Sequence, residues 1–325
     1  MEKITVVECG PLEGAKLLHK DTALKDKVDL INKLTEGGIT KIVTVSFTHP
    51  RLMPQFSDAE ELMKSIDKKS GVTYVGLTPN EIACRRAVNT AIDEILVAVA
   101  ASDTYNQVTV GQSLREVIHK LLPSVIKIAL NEGKGVRAYI TASFGCPYEG
   151  NVAISEVADI ASKLDFLGVN QISLSDSAGV ATPVSVREVV SALIKTRLKA
   201  ELAVHFHDTR GLALVNAMAA FESGIRIFDT AVAGMSARPF GAPNELTNWT
   251  IPTEDLVNMF ESMGVRTGID MNVLLSCVSR VEGMLKRRCP GHILRAGVNN
   301  KLFQAPEKVK MRRKRSVSTG DEEVR

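Results

Sequence analysis

Eight short β-branched runs recur along the chain, most of them followed by a stretch of helical periodicity. No other feature constrains the fold as strongly. The runs are ITVVECG (4–10), KIVTVSF (41–47), TYVGLTP (73–79), EILVAVAAS (94–102), GVRAYITASF (135–144), QISLSDS (171–177), AELAVHFHD (200–208) and RIFDTAVAG (226–234). The intervening stretches include 114–133 and 185–198; in the latter, apolar residues recur every three or four positions with charges opposite. Pro123 kinks or splits the former. Eight such strand–helix units predict an α/β fold, a (β/α)8 TIM barrel. The rival is a doubly wound open sheet, which has fewer strands and often a glycine-rich nucleotide loop after the first. Here CGPLEG (9–14) lacks the G-x-G-x-x-G spacing. Helices at 254–265 and 270–288 follow the eighth strand, the second lying beyond the eightfold unit. We place the barrel domain and its post-barrel helices at 1–290 and a C-terminal extension at 291–325. From about residue 305 the extension has too little apolar surface to offset ordering and reads as disordered.

A length of 325 residues suits a single barrel, and 45% apolar content supports a large core. The net charge of +3 gives no nucleic-acid signal over the body. No apolar run is long enough to span a bilayer, so neither nucleic acid nor membrane is an expected partner. Five scattered cysteines without a C-x-x-C pair read as free thiols in a reducing compartment. The amino terminus enters a strand almost at once, which predicts a cytoplasmic protein. The basic stretch KMRRKRSVS (310–318) reads equally as a nuclear-localisation signal, an anionic-surface patch, a kinase site at Ser316 or Ser318, or a solvated tail.

A barrel predicts where chemistry sits: at the C-terminal ends of the strands and in the loops after them. Those positions hold Glu13, then Ser46 and His49, Thr78, Ser102, Ser143 and Cys146, Asp176, then His205, His207 and Asp208, and finally Arg238. His205 and His207 stand two apart in a strand, so both rings project from one face. Converging imidazoles are a start on a metal site, or they are two core or surface histidines hydrogen-bonded to backbone, the reading a short motif with an incomplete ligand set favours. Cys146 is a reactive thiol or a packed one.

Laid out in order, these segments resemble the hydroxymethylglutaryl-CoA lyase family of TIM-barrel, metal-dependent carbon–carbon lyases. The similarity spans most of 3–288. It rests on VECGP (7–11), SFTHPRLMPQ (46–55), LTPN (77–80), GCPYEG (145–150), ISLSDSAGVATP (172–183), VHFHDTRGLALVN (204–216), VAG (232–234) and TEDLV (253–257). The resemblance implies a divalent cation, Mg²⁺ or Mn²⁺, held by Glu13, His205, His207 and an asparagine of the loop after strand eight. Asn248 is the better match for that asparagine and Asn244 its rival. It implies that Asp176 accepts the proton of the substrate hydroxyl, and that Ser46, Ser143 and Arg210 are candidate substrate contacts. The implied reaction is retro-Claisen cleavage of 3-hydroxy-3-methylglutaryl-CoA, or a related acyl-CoA, to acetyl-CoA and acetoacetate. The implied assembly is a homodimer through the post-barrel helices.

The chain departs from the family pattern at three places. GPLEG replaces G-P-R-D-G, so Leu12 stands where an arginine faces the thioester and Glu13 where an aspartate binds the metal. Losing one such enolate-stabilising contact costs about 100- to 1000-fold in rate. Arg238 occupies the position of the family's proposed acid, a cysteine, in a longer loop, and Val43 replaces a glutamate on strand two. Two readings follow. In one the protein is a lyase in which Arg238 supplies the missing cation and Cys146 or water the proton. In the other it is a silent relative that binds metal or acyl-CoA, or serves as a scaffold.

Overall fold

The computed structural model describes residues 2–19, 22–236 and 249–298. Eight parallel strands close into a barrel in sequential order, β8 pairing back onto β1. They are β1 (Thr5–Glu8), β2 (Lys41–Ser46), β3 (Thr73–Leu77), β4 (Glu94–Ala100), β5 (Gly135–Thr141), β6 (Gln171–Asp176), β7 (Glu201–Phe206) and β8 (Ile227–Thr230). Each lies within the run that the sequence predicts, trimmed at the ends where loops begin.

The helices follow in order. A single turn, α1 (Gly10–Glu13), and then α2 (Leu24–Glu36) come after β1, α3 (Ala59–Ser65) after β2, and α4 (Glu81–Val88) after β3. After β4 come α5 (Asp103–Val110), α6 (Leu114–Glu116) and α7 (Leu122–Asn131). Next are α8 (Ile154–Phe166), α9 (Pro183–Lys195) and α10 (Ala213–Glu222), one for each of β5, β6 and β7. The last three, α11 (Thr253–Ser262), α12 (Met271–Leu285) and α13 (Ile293–Ala296), follow β8.

Periodicity carries through to burial. In α9 the buried residues are Val186, Val189, Val190 and Leu193, the single stripe that three- and four-residue spacing requires. Thr182 caps that helix and Pro183 opens it, where a missing N–H costs nothing. The 114–133 stretch is split as expected. A wide turn of π type at Val117–Leu121 absorbs the irregularity just before Pro123, which sits in the first turn of α7. Beyond the barrel, α12 is tied to α2 by Arg280, 3.0 Å from both Asp26 and Asp29. Residues 292–293 are tied to α11, Asp255 accepting their backbone N–H groups and facing the His292 ring. No described helix is long and apolar enough to cross a membrane. The tail beyond residue 298, with Ser316 and Ser318, lies outside the described residues.

Candidate metal centre and active site

Strand alternation in β7 turns His205 into the barrel, level with Ser175 of β6 and Asp229 of β8. His207, two residues on, occupies the same side one layer higher. Glu13 reaches them from the end of α1. Its two oxygens lie 3.6 Å from His205 Nε2 and 3.8 Å from His207 Nε2. One ligand atom from each residue falls within 4.8 Å of the others.

Two glycines of GPLEG make this approach possible. A Cβ at Gly10 would stand 2.6 Å from a Glu8 oxygen that accepts the Gly10 N–H. A Cβ at Gly14 would stand 2.7 Å from that of Met235. The close packing at Gly14 brings the segment after β8 onto α1. There the hydroxyls of Ser236 and Thr250 donate to Glu13 Oε2 at 2.9 and 3.0 Å and fix the carboxylate.

The donor set suits a divalent cation. Burial and the neighbouring His205 push His207 down to about 3, so its ring is neutral with a lone pair at physiological pH. Burial also pulls His205 down, but Glu13 above and Asp229 below outweigh it, and its net displacement is upward. Two imidazoles and a carboxylate converging from rigid elements are the ligands such an ion takes. Both rings also bury an Nδ1 without a hydrogen-bond partner in the described structure. His205 Nδ1 lies 3.6 Å from Asp229 Oδ2, which sets the ring's orientation.

Asp229 belongs to a column of charge inside the barrel. It pairs with Arg137, wholly buried, and accepts the Ser173 hydroxyl at 2.7 Å. Burial raises the Asp229 carboxyl, but Arg137 lowers it further, so it stays ionised below the ordinary value. Toward the other end of the barrel Lys41 and Glu94 pair at 2.5 Å. Tyr139 lies between the layers, its ring 5.4 Å from that of His205 and its hydroxyl 3.3 Å from Cys9 Sγ.

Above the column opens a cavity of about 550 Å³, lined by Glu13, His205 and His207. Ser175, Ser177, Thr141, Tyr105 and Tyr139 form its hydroxyl-bearing side. Ser175 and Ser177 are 3.3 Å apart, and Ser177 continues the chain to the Tyr105 hydroxyl. Leu12 lines the cavity beside Glu13, and among the described residues no lysine or arginine does.

The remaining predicted residues are placed differently. Asp176 has opposite parity to Ser173 and Ser175, so its carboxylate leaves the barrel interior and accepts the N–H groups of Val180 and Ala181 at 2.9 and 3.0 Å. Burial raises it to about 6, against those bonds. Arg210 donates to the carbonyls of Ala178 and Gly179, bracing the same loop. Ser143 donates to Ile140 O, and Ser46 donates to Thr48, which lines the cavity. Cys146 donates to Ser102 at 3.0 Å within a small apolar cluster and is not on the cavity wall. Val43 is buried in the core. Arg238, Asn244 and Asn248 lie outside the described residues.

Sequence reasoning passed over Asp229, Arg137, Tyr105, Ser175 and Ser177. For the serines a signal existed: in SLSDS, counting by twos from Ser173 selects Ser175 and Ser177 and skips Asp176. For Asp229 and Arg137 the sign was a charged residue inside an otherwise apolar strand run.

Comparison with known proteins adds the following. The HMGL-like family model matches residues 3–281. Hydroxymethylglutaryl-CoA lyase YngG of Bacillus subtilis is 36% identical over 293 residues, 90% of this chain and 97% of that one. The human mitochondrial hydroxymethylglutaryl-CoA lyase is 33% identical over 297 residues, 91% of this chain and 90% of that one. A solved HMG-CoA lyase from Acinetobacter baumannii, in complex with coenzyme A and 3-methylmalate, superposes with a TM-score of 0.86 at 32% identity. That match covers 94% of this chain and 98% of the other.

Proposed function

Since the chain belongs to the HMGL-like family, we propose that it is a lyase cleaving the carbon–carbon bond of a 3-hydroxy-3-methylglutaryl thioester to acetoacetate and acetyl-CoA. The observation that carries this reading is the convergence of Glu13, His205 and His207 on the floor of a cavity at the C-terminal end of a barrel. The coenzyme A complex of the similar A. baumannii lyase supports an acyl-CoA substrate.

Glu13, His205 and His207 would hold Mg²⁺ or Mn²⁺, with Asn248 as a further ligand by resemblance. When bound, the ion would supply Lewis acidity that eases loss of the substrate's hydroxyl proton to water in the open cavity, a proton that restores Tyr105 at the end of the cycle, and would anchor a carboxylate. Ser236 and Thr250 hold Glu13, and Asp229 holds His205. Cleavage leaves a thioester enolate, which needs hydrogen-bond donors and then a proton at carbon. The row Ser175, Ser177 and Tyr105 supplies both in this proposal. Burial pushes Tyr105 up to about 12, so it keeps its proton until the enolate takes it. Asp176 is then a positioning residue: it holds the loop that follows Ser177.

A second reading draws on Leu12. An apolar side chain beside the metal cluster, on a described wall without a cation, favours a relative that binds metal and thioester but turns over poorly. One experiment separates the two: acetoacetate release from the methylglutaryl thioester with Mn²⁺ and after chelation. Metal-dependent release is expected. A folded protein stabilised by Mn²⁺ and CoA without release would establish the second reading.

A further inference from the structure

His205 belongs to two groupings of potential ligand atoms among the described residues, and the proposed reaction draws only on the upper one, with Glu13 and His207. The lower one joins His205 to Cys9 and Asp229, one ligand atom from each falling within 4.8 Å of the others. We propose that this lower grouping is a second metal site, selective for a thiophilic divalent ion such as Zn²⁺ or Cd²⁺, and that an ion there opposes Mn²⁺ binding above it. The proposal does not depend on which thioester is cleaved.

Three observations carry it. The His205 side chain is 1% exposed, yet its Nδ1 has no hydrogen-bond partner and faces Asp229 Oδ2 at 3.6 Å. That separation is too long for a hydrogen bond. It is close to the spacing of about 3.4 Å that two donors keep when each stands about 2.1 Å from one tetrahedral ion. Cys9, wholly buried, makes only the weak contacts of a thiol, 3.6 Å to the Val7 carbonyl and 3.3 Å to the Tyr139 hydroxyl. Asp229 divides its oxygens: Oδ1 pairs with Arg137, while Oδ2 faces His205 and accepts the Ser173 hydroxyl at 2.7 Å. An ion at Oδ2 therefore leaves the buried pair with Arg137 in place.

Sulfur, imidazole and carboxylate are a zinc-type donor set, whereas Mg²⁺ and Mn²⁺ favour oxygen over thiolate. Binding displaces the thiol proton to water, so Cys9 and Asp229 together match the charge of the ion. His205 and Tyr139 both line the cavity, so the lower grouping lies one side chain beneath the cavity floor.

The antagonism follows from the ring itself. A neutral imidazole has one lone pair and one N–H. Holding the upper ion through Nε2, His205 keeps its proton on Nδ1, toward Asp229. Holding the lower ion through Nδ1, it carries the proton on Nε2, 3.6 Å from Glu13 Oε1, and the upper site loses one of its three described ligands. By linkage, each ion then weakens the other by the same factor.

The test titrates Cd²⁺ into the metal-free full chain. A thiolate-to-Cd²⁺ charge-transfer absorbance should saturate at one equivalent, persist in His207→Ala and vanish in Cys9→Ser; Cys9→Ala serves equally should serine disturb the core. With Mn²⁺ followed by electron paramagnetic resonance, saturating Cd²⁺ should raise the Mn²⁺ Kd at least about tenfold. In Cys9→Ser the same displacement should need at least about tenfold more Cd²⁺. No absorbance, an absorbance that survives in Cys9→Ser, or equal displacement of Mn²⁺ from wild type and variant overturns the proposal. If Mn²⁺ does not bind at all, the reading of the upper site fails, and the Cd²⁺ absorbance of wild type against Cys9→Ser decides the lower one alone.

Discussion

His205 and His207 are the same residue type two positions apart, yet the barrel treats them oppositely. His205 is held between two carboxylates and displaced upward, while His207, facing a second imidazole in a buried place, is pushed down to about 3. A divalent ion would take the lone pairs of both. Added Mn²⁺ should therefore stabilise the native state, by about 2.7 kcal/mol at a hundred times Kd, and the melting temperature should keep rising with the logarithm of its concentration. His207→Ala or Glu13→Gln should abolish that rise, as differential scanning fluorimetry would register. Asp229→Asn should act twice over. Leaving Arg137 buried without its carboxylate should cost about 3–5 kcal/mol, and loosening His205 should weaken Mn²⁺ binding about 10- to 100-fold. Unchanged stability in denaturant titration would rule out the buried pair as the prop of the metal centre. At Leu12 the expectation is a gain: Leu12→Arg combined with Arg238→Cys should raise kcat for the methylglutaryl thioester toward about 100-fold.

At the scale of elements, the joint between α1 and the segment after β8 matters most, because it aligns Glu13 with Ser236 and Thr250. Gly14→Ala places a methyl 2.7 Å from the Met235 Cβ, and the two segments must part. The expected cost is about 1–3 kcal/mol, together with a weaker Mn²⁺ response, because the hydroxyls that fix Glu13 move away with Met235. Asp270→Ala provides the contrast. Asp270 caps α12 by accepting the N–H groups of Asn272 and Val273 at 2.8 and 3.3 Å, so its loss should cost about 1 kcal/mol. Mn²⁺ affinity should stay unchanged there, since α12 contributes no side chain to the cavity wall. Equal effects of the two variants on Mn²⁺ affinity would show that the joint has no special role.

The whole molecule carries a pH dependence built from carboxyl groups sealed under the β8 segment. Glu8 accepts the N–H groups of Gly10 and Val232 and the Thr253 hydroxyl, yet burial raises it to about 7. Glu254 accepts the Ala233 N–H and is raised by burial to about 8. Unfolded, both titrate near 4.5. Between that value and 7 to 8 the native state binds more protons than the unfolded one, so these groups make stability fall as pH rises. Below 4.5 their contribution is fully present; above 8 it is lost. Glu8→Gln keeps an acceptor for the two N–H groups and a donor for Thr253 without a proton to lose. Its melting temperature relative to wild type should climb from pH 5 to pH 8 and then level. A difference that stays flat across that range would place the Glu8 titration elsewhere.

The period of two and the period of three to four are local properties of the chain, and so the strands, the helices and the barrel order were legible in the amino-acid sequence. The same period put both imidazoles on one face, and the position of GPLEG after the first strand put Glu13 near them. What local spacing cannot express is which strands become neighbours across the closed barrel. Strand register sets Asp229 of β8 level with His205 of β7, while closure brings Arg137 of β5 across the interior to neutralise it and seats Tyr105 against Ser177. Chain periodicity determined which face each side chain takes; burial and cross-barrel proximity, which arise only when β8 meets β1, determined its charge and its partners.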